Sequence, residues 1–454
     1  MKINDDIFRK YDIRGIVDKD LTDEFAYHLG KGFGTYLKRQ KLTNIAVGKD
    51  VRKSSPRLFE NIAKGIISTG CDVTDIGVVP SPVLYFTVYH YNFDGGLMIT
   101  GSHNPIDYNG FKLMKGKKTV YDKQIQELKE IIKKEDYEAG KGKLNDKEVI
   151  KDYLEYTSSR ISPGKSLKIV MDPGNGTAGP IATELFKILG ADFECINCKP
   201  DGNFPNHLPD PTVVKYTKQL SDKVLEQKAD IGIGYDGDSD RAGIIDENGK
   251  LVYGDQLLGA IAKPIILNNP GTEVIFDVKC SQGLVEWVKE LGGKPLMWKT
   301  GHSLIKEKMR ETGSLIAGEM SGHIFIGDNY YGFDDALFVS ARFYEIVSKS
   351  SKTVSEIINE MPYYESTPEI RTEVGEDAKW KIVEAAKEEF SKKYETIQID
   401  GARILFGDGW GLVRASNTQP IVVTRFEAKT KERLEEIKKI VTDFIEQQTA
   451  KFND

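Results

Sequence analysis

Apolar positions over the first three quarters of the chain recur in one order: a β-branched run, a polar turn, an amphipathic helical stretch, and a second β-branched run. Strand-like KLTNIAVGKD (41–50) leads into a helical stretch ending at Thr69 and Gly70, followed by CDVTDIG. LKIVMDPGNG (167–176) leads through a helical segment to Leu189 and Gly190, and TEVIFDVKC (272–280) leads in the same way to LGG at 291–293. In each copy the first run stops at an aspartate (Asp50, Asp172, Asp277) and glycine closes the helix. Strand, helix, strand is the βαβ unit, whose right-handed crossover yields a mixed or parallel sheet covered by helices. Three copies predict three related α/β domains.

Residues 365–454 depart from this order. Strand-like IQIDGARILF, a glycine-rich turn GDGWG and a second strand IVVTRFEA precede a helix in which Leu434, Ile437, Ile440, Val441, Phe444 and Ile445 form one apolar face. The pattern predicts a smaller C-terminal α+β domain. Seams at 133–148, 246–250 and 361–369 divide the chain into expected domains at 1–148, 149–250, 251–364 and 365–454.

Composition narrows the class. With 454 residues, 39% hydrophobic and 29% charged, the chain buries several cores unaided. A net charge of −6 is too mild for a nucleic-acid coat, so any anion site is local. Four cysteines do not make a disulfide framework, and Cys195 and Cys198 (CINC) read as core or strand-edge residues. The charged N-terminus and the lack of a long apolar window give the expectation of a cytoplasmic protein with no membrane span, nucleic-acid partner or obligate protein partner. His28, His90 and His207 show no partner spacing and read as structural.

Four loops carry candidate chemistry. In DGDSDR (236–241), Asp236, Asp238 and Asp240 alternate in a glycine-flanked loop and can turn three carboxylates toward a hard divalent cation. An EF-hand competes through Glu247 at position 12, but Arg241 stands where that loop needs glycine, and the flanks read as strands. TGSHNP (100–105) exposes Ser102 on a turn; Thr100 and Asn104 stand where a hydrolase elbow requires glycine. GEMSGH (318–323) offers Glu319, Ser321 and His323 to vicinal hydroxyls, and RASNTQP (414–420) offers Arg414, Ser416, Asn417 and Thr418 to a phosphate dianion. A rival stands in GNGTAG (174–179), which matches a dinucleotide fingerprint with Glu194 at the expected distance. Asp172 and Pro173 interrupt the approach to it, and the other two repeats have no such glycines.

Taken together, KYDIRG (10–15), TGSHNP, DYNGFK (107–112), DGDSDR, DVKCS (277–281), KTGHS (299–303), GEMSGH and RASNTQP resemble the α-D-phosphohexomutase family, phosphomannomutase/phosphoglucomutase branch, in family order across nearly the whole chain. The resemblance implies three related α/β domains with mixed sheets plus a smaller fourth around a central cleft. It implies Ser102 as the phosphoryl carrier, and Mg²⁺ held by Asp236, Asp238, Asp240 and the phosphorylated Ser102. Tyr11, Arg14, His103, Lys112, Arg241, Lys279 and His302 map onto cleft positions, Glu319, Ser321 and His323 onto the sugar-reading loop, and Arg414, Ser416, Asn417 and Thr418 onto the phosphate loop.

The implied reaction interconverts hexose 6- and 1-phosphates, mannose first and glucose beside it, through a 1,6-bisphosphate that also serves as activator. Met320, where the glucosamine branch has glutamine, favours the hexose branch. Three aspartates and a phosphoserine sum to about −5 and Mg²⁺ returns only +2. Arg14, Lys112 and Arg241 are the expected remaining cations. Lys112 and His302, with His323 behind them, are the candidates for proton exchange, and the last domain is expected to close over the substrate about the 361–369 seam. A dinucleotide-dependent oxidoreductase and a non-catalytic sugar-phosphate binder are the readings from other classes.

Overall fold

The computed structural model describes residues 3–416 and 420–453. They fall into two compact units, Met1–Leu257 with Ser321–Ile357, and Leu258–Met320 with Ile358–Asp454.

The first unit holds two mixed sheets. One runs Ile13–Ile16, Tyr108–Lys115, Gly95–Ile99, Asn44–Lys49, Asp72–Val78, Leu144–Asp146. Asn44–Lys49 is parallel to Asp72–Val78 and Gly95–Ile99, while Tyr108–Lys115 is antiparallel to Gly95–Ile99. Ile45, Val47, Leu97 and Ile99 are fully buried, as central strands covered on both faces require. Helix Ser81–His90 is buried on every side from Ser81 to Val88, which explains its lack of amphipathic pattern. The other sheet runs Leu251–Val252, Ala242–Ile245, Ile231–Tyr235, Lys168–Asp172, Asp192–Cys195.

The second unit carries the parallel strands Lys294–Trp298, Glu273–Asp277 and Ile316–Gly318. It also carries an antiparallel sheet in which Ile421–Ala428 and Gly409–Ala415 are central. Buried Arg403 donates to the carbonyls of Val278 (2.7 Å) and Cys280 (2.6 Å) while lying over the Trp410 ring. Glu427 accepts from Gln282 N, Ser281 Oγ and Trp410 Nε1 at 2.8, 3.0 and 2.7 Å.

The repeat has a local cause. In every copy the aspartate ending the first strand accepts the backbone N–H two residues on: Arg52 to Asp50 (2.9 Å), Gly174 to Asp172 (2.9 Å) and Lys279 to Asp277 (3.0 Å). This turn re-aims the chain from strand to helix without an unpaired donor.

Three readings need correction. IQIDGARILF (397–406) is not one strand: its first residue ends strand Glu395–Ile397, and Gly401 at φ +93° turns the chain before the antiparallel strand Ala402–Leu405. Ile440 is 39% exposed and leaves the apolar face that Ile437, Val441 and Ile445 bury. Cys195 does end an edge strand, but it is joined to Cys198 in a disulfide (Cα–Cα 5.7 Å), while Cys71 and Cys280 are buried. Among the described residues no helix is long and apolar enough to cross a membrane.

The glycines of GNGTAG meet the chain's own backbone. A Cβ on Gly176 would lie 2.7 Å from the Gly237 carbonyl oxygen, and one on Gly179 would lie 1.9 Å from that of Cys198. Close packing accounts for the fingerprint, and Asp172, in front of it, is held by His207. The two ring nitrogens of His207 face Asp172 Oδ2 and the Leu208 carbonyl, both at 2.9 Å, an arrangement that suits the imidazolium. Burial opposes the charge, but the Asp172 carboxylate prevails and raises the ring above its ordinary 6.5. A raised folded value adds stability that is full below the unfolded value and fades as pH climbs past the folded one. His207→Gln is therefore expected to lower the urea midpoint at about pH 5.5 and to have little effect at about pH 9. An equal loss at both pH values would show that the ring contributes packing alone.

Candidate active site

The TGSHNP turn leaves strand Gly95–Ile99 and returns as Tyr108–Lys115. Ser102 sits on it, and the turn buries the residue that its sequence was expected to expose, because the neighbouring DGDSDR loop packs over it: Ser102 is 3% exposed, with φ +47°, a left-handed conformation that costs a non-glycine residue about 1–2 kcal/mol. Its N–H is taken by Thr100 Oγ1 at 2.8 Å. Its hydroxyl donates to Asp236 Oδ2 at 2.7 Å. With that single proton spent, the contact from Ser102 Oγ to His103 Nδ1 at 3.0 Å requires Nδ1 to be the donor. Burial, with Arg241 and Arg14 nearby, holds the His103 ring well below its ordinary range, so it is the neutral Nδ1–H form.

DGDSDR is the turn between antiparallel strands Ile231–Tyr235 and Ala242–Ile245, so strands flank it as its sequence implied. Asp236, Asp238 and Asp240 are buried, and one oxygen from each lies within 4.8 Å of the others. Some of their oxygens are committed to donors. Asp236 Oδ1 accepts the N–H groups of Asp240 (3.0 Å) and Arg241 (3.1 Å). Asp238 Oδ2 accepts Ser81 Oγ and, at 2.6 Å, Lys112 Nζ, which also binds Asp240 Oδ2. Asp238 Oδ1 and Asp240 Oδ1 are buried and accept no hydrogen bond. Two bare carboxylate oxygens beside the Ser102 hydroxyl are costly unless a cation takes them, and a hard divalent ion preferring oxygen fits this donor set.

Charge explains the arrangement of protons. Burial disfavours the Lys112 ammonium, but Asp238 and Asp240 overcome this and raise it well above its ordinary value. Burial would likewise neutralise Asp240, yet Lys112 holds it below the usual carboxylate range. Asp236, shielded from water and repelled by its two neighbours, is raised. Arg241 Nε donates to His323 Nε2 at 3.0 Å, and His323 Nδ1 lies 3.1 Å from Asp334 and 3.6 Å from Asp240. Arg14 pairs with Asp12. Half-buried Tyr11 precedes it in KYDIRG, and Ser321 lies just before His323.

In the second unit Lys279 Nζ pairs with Glu369 at 2.8 Å, and that attraction, outweighing burial, lowers Glu369 to about 2. Glu319 accepts the Gly301 N–H at 2.6 Å, beside His302 at the start of its helix. Asp400 Oδ2 joins the Thr300 N–H (3.0 Å) to Arg414 Nε (2.8 Å), and Ser416 follows on the same strand end. Asn417 and Thr418 lie outside the described residues.

Sequence reasoning did not single out Arg52, Ser81, Asp334, Glu369 or Asp400. For Arg52 a signal existed, since Asp50 marks the repeat and Arg52 follows it by two residues. The others are isolated polar residues whose partners lie on other elements, from 11 residues away for Asp334 and His323 to 157 for Ser81 and Asp238.

Four stretches match the phosphoglucomutase/phosphomannomutase family: alpha/beta/alpha domain I at residues 5–139, domain II at 150–249, domain III at 253–364 and the C-terminal domain at 369–444. The chain is 44% identical over 435 residues to a phosphomannomutase/phosphoglucomutase of Pseudomonas aeruginosa, covering 96% of this chain and 94% of that protein. It is 44% identical over 437 residues to a phosphoglucomutase of Neisseria meningitidis, covering 95% of each. A crystal structure of a phosphoglucomutase/phosphomannomutase family protein from Burkholderia thailandensis superposes with a TM-score of 0.94 at 40% identity, covering 98% of both chains.

Replacing Lys112 with methionine leaves buried carboxylates without their cation. Lys112→Met is expected to lower stability by about 3–5 kcal/mol in chelator. Added Mg²⁺ is expected to raise its melting temperature by more than it raises the parent's. A variant as stable as the parent in chelator would mean that Lys112 does not balance these charges.

Proposed function

The chain belongs to the phosphoglucomutase/phosphomannomutase family and is a phosphohexomutase, and from that premise we propose the residues that perform the reaction. The Ser102 phosphoryl group passes to the free hydroxyl of a hexose 1- or 6-phosphate. The resulting 1,6-bisphosphate turns over and returns its other phosphate to Ser102. The observation that carries this reading is the Ser102 hydroxyl on Asp236, 2.7 Å away, in a cluster where Asp238 Oδ1 and Asp240 Oδ1 are buried and accept no hydrogen bond.

Asp236, Asp238, Asp240 and the phosphorylated Ser102 would hold Mg²⁺, which would supply Lewis-acid charge withdrawal from the phosphoryl oxygens. The chain's own groups do the rest by position and charge. Lys112 offsets Asp238 and Asp240 and is held as an ammonium. Arg241 and Arg14 face the transferring oxygens, with guanidinium donors that match them. With Lys112 committed as a cation, His302 and His323 are the imidazoles available to exchange the hydroxyl proton. Glu319 and Ser321 read sugar hydroxyls. Arg414, Ser416, Asn417 and Thr418 hold the phosphate that is not being transferred, with Tyr11, His103 and Lys279 completing the contacts. Hexose 1,6-bisphosphate reprimes an enzyme that has lost its phosphoryl group.

Ser102→Ala is expected to lower kcat by roughly three orders of magnitude or more, and intact-mass spectrometry of the parent is expected to show a phosphoryl adduct on Ser102. Near-normal turnover by the variant would refute the phosphoserine route. A site anchored on phosphates and on hydroxyls away from C2 reads the inversion there weakly. With bisphosphate supplied, kcat/KM for mannose 1-phosphate and glucose 1-phosphate is therefore expected to agree within about tenfold. A wider gap would show that the site reads C2.

A further inference from the structure

We propose that Arg52 is the positioning residue of the phosphoryl-carrying loop, its planar guanidinium setting how fast the Ser102 phosphoryl group is transferred; this rests on the reading that Ser102 carries that group. The Arg52 side chain is 1% exposed. All four of its terminal N–H bonds find carbonyl oxygens of one short loop. Nη1 donates to Pro105 (2.7 Å) and Tyr108 (3.0 Å), and Nη2 to Ser102 (2.9 Å) and Asn104 (2.7 Å). The fifth, on Nε, faces Asp50 Oδ2 at 3.4 Å. Asp50 in turn accepts the Gly101 N–H at 3.0 Å and the Ser55 hydroxyl at 2.6 Å. One strand-end pair thus holds the loop from the N–H of Gly101 to the carbonyl of Tyr108, while the Phe204 ring lies 5.1 Å from the guanidinium carbon.

A lysine cannot reproduce this. Four acceptors in two pairs match the two-pronged fork of an arginine, whereas an ammonium has three donors on one atom. The loop is shaped to the fork, because a Cβ on Gly101 would lie 2.3 Å from Arg52 Nε and 2.5 Å from its Cζ.

The clamp acts on the reacting residue. Ser102 is held at φ +47° and its own carbonyl is one of the four acceptors. The peptide joining it to His103 is trans, so the His103 N–H points away from Arg52, and a guanidinium on the carbonyl end polarises that N–H into a stronger donor. In transfer, the Oγ–P bond breaks as phosphorus bonds to the sugar hydroxyl oxygen, and the proton the hydroxyl loses ends on Oγ. A loop that lets Oγ drift loses alignment in this step, while sugar binding elsewhere is untouched.

The test is Arg52→Lys in the full-length enzyme. It is expected to lower kcat by about tenfold or more with KM for glucose 1-phosphate within about twofold. Rapid-quench mass spectrometry is expected to show phosphoryl loss from Ser102 slowed by the same factor. Transfer at the parent rate overturns the proposal, as does a raised KM with unchanged kcat, or a loss that merely tracks a reduced folded fraction. If Arg52→Lys does not yield folded protein, Gly101→Ala displaces the fork while keeping its charge. It must then show the same split between kcat and KM, and parental kinetics would refute the clamp. A parent enzyme that never carries phosphate on Ser102 defeats the Ser102 reading itself, before any variant is compared.

Discussion

Three carboxylates buried within 4.8 Å of one another impose the constraint around which this site is built. Like charges so close and so dry cannot remain ionised without cations and donors aimed at them. Lys112 answers from an inner strand of the neighbouring sheet, Ser81 from the buried start of helix Ser81–His90, and Ser102 from the loop that returns into the Lys112 strand. What remains, one oxygen each on Asp238 and Asp240 that accepts no hydrogen bond, marks a place that suits a divalent cation. The cations drawn in against those carboxylates are what the phosphoryl transfer proposed for Ser102 calls for, because that group brings more negative charge and needs positive charge already in position.

The three repeat aspartates show how one local device is put to different uses. Each closes the same turn by accepting the N–H two residues on, and each has an oxygen left for something else. Asp50 spends it on Gly101 and the Ser102 loop. Asp172 spends it on His207, steadying the GNGTAG turn, whose Thr177 in turn donates to the Gly237 carbonyl of the DGDSDR loop at 3.1 Å. Asp277 lies 3.7 Å from Lys279. The repeated strand-turn-helix unit thus presents three polar turns that share one backbone device and differ in what the free oxygen binds.

Much of this was legible because it is local. β-branched runs ending at aspartate, followed by an amphipathic stretch and a glycine, encode their own strands and helices, and alternating aspartates in a glycine-flanked turn encode a shared focus. The errors came where neighbours along the chain carry no information. IQIDGARILF has a continuous strand composition, yet Gly401 breaks it. Ile440 obeys helical spacing, yet it is left 39% exposed while Ile437, Val441 and Ile445 are buried. The glycines of GNGTAG fit a dinucleotide fingerprint, and only the approach of Gly237 and Cys198 shows that they make room for the chain itself.

By itself the sequence determined the βαβ repeats, the C-terminal change of architecture, and the residue types on each loop, because propensity, periodicity and turn chemistry act over a few residues. Tertiary structure alone decided which oxygens are satisfied and which are bare, that Lys112 belongs to Asp238 and Asp240, and that Arg52 reaches four carbonyls fifty or more residues away. Those outcomes depend on burial and on hydrogen-bond geometry between segments brought together by folding, and neither quantity is written into any short stretch of chain.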